Sequence, residues 1–179
     1  MSQTDFETWL NFCWLPENDG QPYHVTQGDR GKGTAWGATQ ASWSAWCAQQ
    51  GLRVALQDAT KDQIEEMIHA NYWNAVQADQ MWPALMFLVV DFGFVGGPRA
   101  RFLQQVAGAT IDGKIGRETI AAVNNIVNRS DALCTFSALC EDYYRRDVDF
   151  GEFGVGWLRR NNQRLNIAAN MLAGSNAVA

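Results

Sequence analysis

The run WPALMFLVVDFGFVGGP, residues 82–98, decides the fold class. From Trp82 to Val95 apolar residues fill nearly every position, so no single face is singled out for burial. A helix that is apolar all round belongs inside a packed protein or inside a bilayer. Asp91 interrupts this run, and it is shorter than the ~20 residues a helical span needs. The pattern therefore predicts a central buried helix over 82–95. Gly96-Gly97 stops it, and Pro98 precedes a restart over 99–107.

The flanking sequence supplies helices to surround that centre. Residues 4–14 place Phe6, Trp9, Leu10 and Cys13 at helical spacing, with Thr4 and Glu7 as a capping pair and Pro16 as the stop. Thr39 is expected to cap a helix to Gln50, which Gly51 ends. Thr60 is expected to cap KDQIEEMIHANYW, with Ile64, Met67, Ile68 and Tyr72 on its apolar face. Further helices are expected over 117–127 and 131–146. The segment VDFGEFGVG reads as a break before a last helix over 156–173, striped by Trp157, Asn161, Leu165, Ala168 and Leu172. TIDGKIG looks slightly like a calcium loop but lacks the repeated ligand positions, so it reads as a turn with Gly113 and Gly116 in unusual dihedrals. Strand signals are weak. The expectation is an all-α single domain over 1–179, in two halves (1–95 and 96–179), with at most a small hairpin in 22–38.

Composition narrows the partners. The chain has 179 residues, enough for a real core, and a net charge of −5. That charge argues against nucleic acid, which needs a basic face. Residues 1–100 carry 5 Lys/Arg against 11 Asp/Glu, and residues 101–179 carry 9 against 8. Arg145, Arg146, Arg159, Arg160 and Arg164 read either as a solvated helix face or as a contact for an anionic polymer or membrane surface. Cys13, Cys47, Cys134 and Cys140 form no CxxC pair and read as buried free thiols. With two histidines, His24 and His69, no zinc site is expected. The first residues, MSQTDFETWLNF, show neither a basic leader nor a long apolar run, so no signal peptide and no stable membrane insertion are expected.

The stretch LPENDGQPYHVTQGDRGKGTAWGAT, residues 15–39, is where chemistry is expected. A long polar, glycine-rich connection inside a compact domain is usually functional. GDRGKGT is not a phosphate loop, because Gly33 separates Lys32 from Thr34 and Gln27 stands where the first glycine is needed. Cys13 lies near His24 in sequence but on the apolar face of its helix, which favours a buried thiol over a nucleophile. Carboxylate chemistry remains. Glu17 sits at a half-apolar helix end, where the charged form is disfavoured, as a general acid requires. Asp29 lies among backbone donors beside Arg30 and should stay ionised. Two carboxyls in opposed environments suit glycosidic cleavage, with Thr34 able to hold a water. The residues alone leave open that Glu17 and Asp29 are ordinary loop acids.

The same residues resemble the N-terminal motif of the glycoside hydrolase family 108 muramidases, a group of phage endolysins and bacterial lysozyme-like proteins. That motif runs roughly Glu-Gly-Gly-Tyr, an Asp-Pro-Gly-Gly turn, then Thr-Asn-aromatic-Gly-Ile-Thr. Here the chain reads Glu17-Asn18-Asp19-Gly20, Tyr23, Asp29-Arg30-Gly31-Lys32, then Thr34-Ala35-Trp36-Gly37-Ala38-Thr39. About three extra residues lie between Glu17 and Tyr23, and Arg30, Lys32, Ala35 and Ala38 depart from the motif. NYWNAVQADQMWPALMFLVVDFGF, the DGKIG turn and FGVGWLRRNNQRL are similar to the family's later regions.

The resemblance implies a lysozyme-like fold that cleaves the β-1,4 bond between N-acetylmuramic acid and N-acetylglucosamine in peptidoglycan. It implies Glu17 as the catalytic acid, with Asp29 and Thr34 beside it, and no cofactor or metal. Gly28, Gly31 and Gly33 would permit the loop to bend. Tyr23 and Trp36 would floor or flank the glycan groove, with Tyr72 and Trp73 on its far wall, Trp73 being equally readable as core. The DGKIG half resembles a peptidoglycan-binding element. A monomer made in the cytoplasm and acting on the wall outside is expected, released through a hole made by a partner membrane protein of the holin kind or by a dedicated export route. A lytic transglycosylase and a non-catalytic glycan-binding protein are the alternative readings.

Overall fold

The computed structural model describes residues 3–17, 23–25 and 33–176. Among them are eight α-helices and one two-stranded antiparallel sheet, so the all-α expectation holds. The chain packs as two compact units, one Phe6–Asn74 and the other Ala75–Ala179 together with Met1–Asp5. No helix among the described residues is long and apolar enough to cross a membrane.

Helix α1 spans Gln3–Glu17, and its part in the first unit, from Phe6 on, buries Phe6, Trp9, Leu10 and Cys13. It begins before Thr4, so Thr4 lies inside the helix and is not its cap. It also runs through Pro16, because a proline in the last turn forfeits its own N–H bond yet lets the next residue keep helical dihedrals. Strands β1 (Thr34–Ala35) and β2 (Ala38–Thr39) form the small hairpin. Thr39 then caps helix α2 (Gln40–Gln50) by accepting from the Ser42 N–H, and Gly51, at φ 69°, ends it. Helix α3 (Lys61–Ile68) opens on a capping box in which Thr60 and Gln63 each bond the other's backbone N–H.

The sequence predicts this helix continuing to Trp73. Instead, residues His69–Trp73 widen into a π-helical turn. The wider turn still delivers Trp73 to the core, edge-on to Phe6 with centroids 5.4 Å apart and 6.3 Å from Trp9. The His69 ring also meets Phe6 edge-on at 4.5 Å, and the Asn74 amide donates to His69 Nδ1 at 3.2 Å.

The second unit is built on the central helix α4 (Pro83–Phe94), in which every residue from Ala84 to Phe92 is buried. Around it lie α5 (Arg99–Ala107), α7 (Arg129–Arg145) and α8 (Phe150–Asn176), while α6 (Arg117–Asn124) packs on α5. Phe92 is the aromatic hub, stacked on Phe102 at 5.3 Å and edge-on to Phe136, Tyr143 and Tyr144. The expected break at VDFGEFGVG is confined to its first two residues, because α8 begins at Phe150 and runs through Gly151, Gly154 and Gly156. Each glycine costs about 1 kcal/mol in a helix. Packing outweighs that at Gly154, which is buried under the Phe150 ring where a Cβ would stand 2.6 Å away. The apolar stripe on α8 is as expected, except that Arg164 lies in it, fully buried.

That burial corrects the reading of the basic tail for Arg160 and Arg164, while Arg145, Arg146 and Arg159 are exposed, as a solvated face requires. Arg160 and Arg164 both ion-pair with the buried Asp91, at 2.8 and 3.2 Å. Arg145 and Arg146 pair one helical turn back with Glu141 and Asp142. The thiol expectation needs one change: Cys13, Cys47 and Cys140 are buried, but Cys134 is exposed. All four are free, and burial pushes the Cys140 thiol up to about 12, so it is inert as a nucleophile.

The DGKIG turn is structural. The buried Gln104 amide donates to Asp112 Oδ1 at 2.6 Å and to the Lys114 carbonyl at 3.0 Å, and its oxygen accepts from the Gly113 N–H. A hydrogen bond from the Lys114 backbone, then one from Gln104, holds the Asp112 carboxyl below the usual aspartate range. Gly113 has the unusual dihedral expected (φ 78°), whereas Gly116 is ordinary extended backbone (φ −121°).

Candidate active site

Glu17 is the last residue of α1, so the helix that buries Phe6, Trp9, Leu10 and Cys13 fixes where its backbone stands. One turn earlier, half-buried Trp14 ties that end to the hairpin. Its indole Nε1 donates to the Trp36 carbonyl at 2.9 Å, and the two rings lie 5.8 Å apart at 56°. Trp36 and Gly37 form the two-residue hairpin loop, with φ 52° and 79°. Positive φ at both loop positions matches the primed turns that suit a hairpin's twist. For a residue as bulky as tryptophan it is strained, and such strain persists only where the surroundings impose it. The Trp14 hydrogen bond supplies that restraint.

Thr34 is held from two sides. It pairs with Thr39 across the hairpin, and its N–H and C=O exchange hydrogen bonds with His24, both 2.9 Å. Tyr23 lies over Gly33, whose φ is 124° and where an added Cβ would stand 2.5 Å from the Tyr23 hydroxyl. The glycine expectation is therefore met at Gly33, while Gly28 and Gly31 lie outside the described residues. We expect Gly33→Ala to destabilise the fold by about 1–2 kcal/mol through its backbone alone. It should also slow turnover of the folded protein, because Tyr23 must leave the hairpin. Melting curves measured beside wall-lysis rates check this, and turnover unchanged per folded molecule would leave Gly33 a purely structural role.

Lys61, the first residue of α3, completes this cluster. Its ammonium stands 4.5 Å from the centre of the Trp14 ring and 5.7 Å from that of Trp36. Tyr72 is half-buried in the π-helical turn. Trp73 is only 2% exposed, so of its two readings, groove wall and core, the structure favours core. Asp29 lies outside the described residues. The structure thus gathers Trp14, Trp36 and Lys61 into one cluster and sets Thr34 and Tyr23 along the adjoining hairpin segment. Trp14 and Lys61 went unnoticed in the sequence. The i, i+3 spacing of Trp14 and Glu17 on one helix was the available signal for the first; nothing local marks the second. Among the described residues no group of His, Cys, Asp and Glu could hold a metal ion.

The family model described as Glycosyl hydrolase 108 matches residues 14–97, from Trp14 through α4. No curated protein matches the sequence. Among solved structures the chain is similar to Brucella abortus SagA, with a TM-score of 0.82, 26% identity, and coverage of 95% of this chain and 97% of that one. The match thus extends beyond the family segment to nearly the whole chain. Residues 14–97 thus match the glycosyl hydrolase 108 family, and the chain is a glycoside hydrolase with an all-α, lysozyme-like fold.

Proposed function

We propose that this enzyme is an endolysin-type N-acetylmuramidase, hydrolysing the β-1,4 bond from N-acetylmuramic acid to N-acetylglucosamine in peptidoglycan. The observation that carries this reading is where the family match begins: at Trp14, on the turn of α1 that leads into Glu17. Glu17 donates its proton to the bridging oxygen as the bond to the sugar C1 breaks. Water then adds its oxygen to C1 and loses a proton, which ends on the Glu17 carboxylate, so the acid is restored. Asp29 steadies the oxocarbenium-like state or aligns the water, and Thr34 holds that water. Trp36 and Tyr23 flank the glycan, and Tyr72 stands beside it.

Product analysis tests the reaction type. Digests of purified walls should carry reducing N-acetylmuramic acid ends by mass spectrometry. Anhydro-muramyl ends would make the enzyme a lytic transglycosylase. Undigested walls that still retain the protein would make it a glycan-binding scaffold.

A further inference from the structure

We propose that Lys61 is the substrate-reading cation of this site, binding a carboxylate carried on or next to the muramyl sugar. The inference rests on the muramidase reading above and deepens it. A muramyl sugar bears a lactyl group whose carboxyl is either free or amide-linked to a peptide stem with carboxylates of its own. N-acetylglucosamine has neither.

Three observations point to Lys61. First, helix stability does not account for it. It stands in the first turn of α3, next to the Thr60 cap, where the helix dipole disfavours a cation. Second, it is placed on aromatic rings and not on the acids of its own helix. Its ammonium rests on two indoles, and it makes no ion pair with Asp62 or Glu65. Aromatic faces attract a cation without consuming all three of its N–H donors, so donors remain for an anionic oxygen. Holding the ammonium on two rings also lowers the ordering cost of binding.

Third, the two rings belong to the segments that the proposed chemistry uses. Trp14 precedes Glu17 by one turn of α1, and Trp36 follows Thr34 by two residues in the hairpin. The surrounding unit, Phe6–Asn74, carries eight Asp/Glu against four Lys/Arg. An acidic unit repels a carboxylate-bearing strand unless a cation is set where the carboxylate must lie.

The test compares wild type, Lys61→Met and Lys61→Arg on two kinds of glycan strand. One bears peptide stems, and the other has been stripped by an amidase so that the lactyl carboxylate is free. Binding of neutral N-acetylglucosamine hexamer, followed by tryptophan fluorescence, is the third arm. Lys61→Met should raise KM on carboxylate-bearing strands roughly fivefold at low salt, in the range of an exposed ion pair. Turnover should stay within about twofold, the signature of lost ground-state binding. Added salt should shrink the difference. Lys61→Arg should restore KM, and hexamer binding should not change.

A KM defect confined to stripped strands identifies the lactyl carboxylate, and one confined to stem-bearing strands identifies the stem. Equal KM for wild type and Lys61→Met on both strands would overturn the proposal. So would equal weakening of the neutral hexamer, which would make Lys61 a packing residue. Wild type that releases no muramyl ends from either strand would remove the muramidase reading and this inference with it, a result read without any variant.

Discussion

Glu17→Gln should reduce the rate of wall lysis by at least about a hundredfold, the lower end of what general acid catalysis contributes. The change keeps the shape of the side chain and removes the transferable proton. The fold should be retained, because Glu17 is the final residue of α1 and the packing of that helix rests on Phe6, Trp9, Leu10 and Cys13. Glycan binding should also persist, because the aromatic cluster of Trp14 and Trp36 is untouched. Asp29→Asn separates two roles. If Asp29 aligns water or stabilises the oxocarbenium-like state, turnover collapses with melting unchanged. If it braces the loop, melting falls and much of the activity survives. Turnover by a well-folded Glu17→Gln protein at close to the wild-type rate would end the proposed mechanism.

Features with a local cause could be read directly. Thr39, Gly51 and Thr60 act within four residues of themselves, and each caps or stops the helix expected of it. The run 82–98 announced a buried helix because no polar face was available to it. What stayed hidden depends on partners far along the chain. The Trp14 indole reaches a carbonyl 22 residues away, and Lys61 reaches that same pair of rings from α3. Gly151, Gly154 and Gly156 signal a break locally, yet all three lie inside α8. In sequence Asp91 only interrupted an apolar run, and Arg160 and Arg164 resembled surface charge. Their pairing spans 69 and 73 residues, which no periodicity reveals.

That pairing carries the other large effect. Asp91 and Arg164 are both fully buried. Arg160 grips the carboxylate with Nε at 3.2 Å and Nη2 at 2.8 Å, and Arg164 adds Nη1 at 3.2 Å. Arg164 also donates to the Asn161 side-chain oxygen at 2.6 and 3.1 Å, and Asn161 in turn donates to Ser137. Removing one partner leaves a buried charge unmatched, which costs about 3–5 kcal/mol. Asp91→Asn should therefore lower melting on the order of 10 °C. If the unmatched charge is the cause, the double variant Asp91→Leu with Arg164→Met should recover part of that loss, because well-packed apolar replacements of buried pairs are often neutral. No recovery would shift the cause to the shape of the site.

The pH dependence has a definite sign. Burial alone would push the Asp91 carboxyl up, but the adjacent Arg160 and Arg164 outweigh it and hold it below the ordinary aspartate value of 3.8. A depressed carboxyl contributes its full stability above its unfolded value and loses it as pH falls through the folded one. The wild-type advantage over Asp91→Asn should thus be constant from neutral pH down to about 5 and shrink only below about 4. Melting of both proteins across that range measures it. An advantage already fading near pH 6 would mean that the arginines do not hold Asp91 ionised.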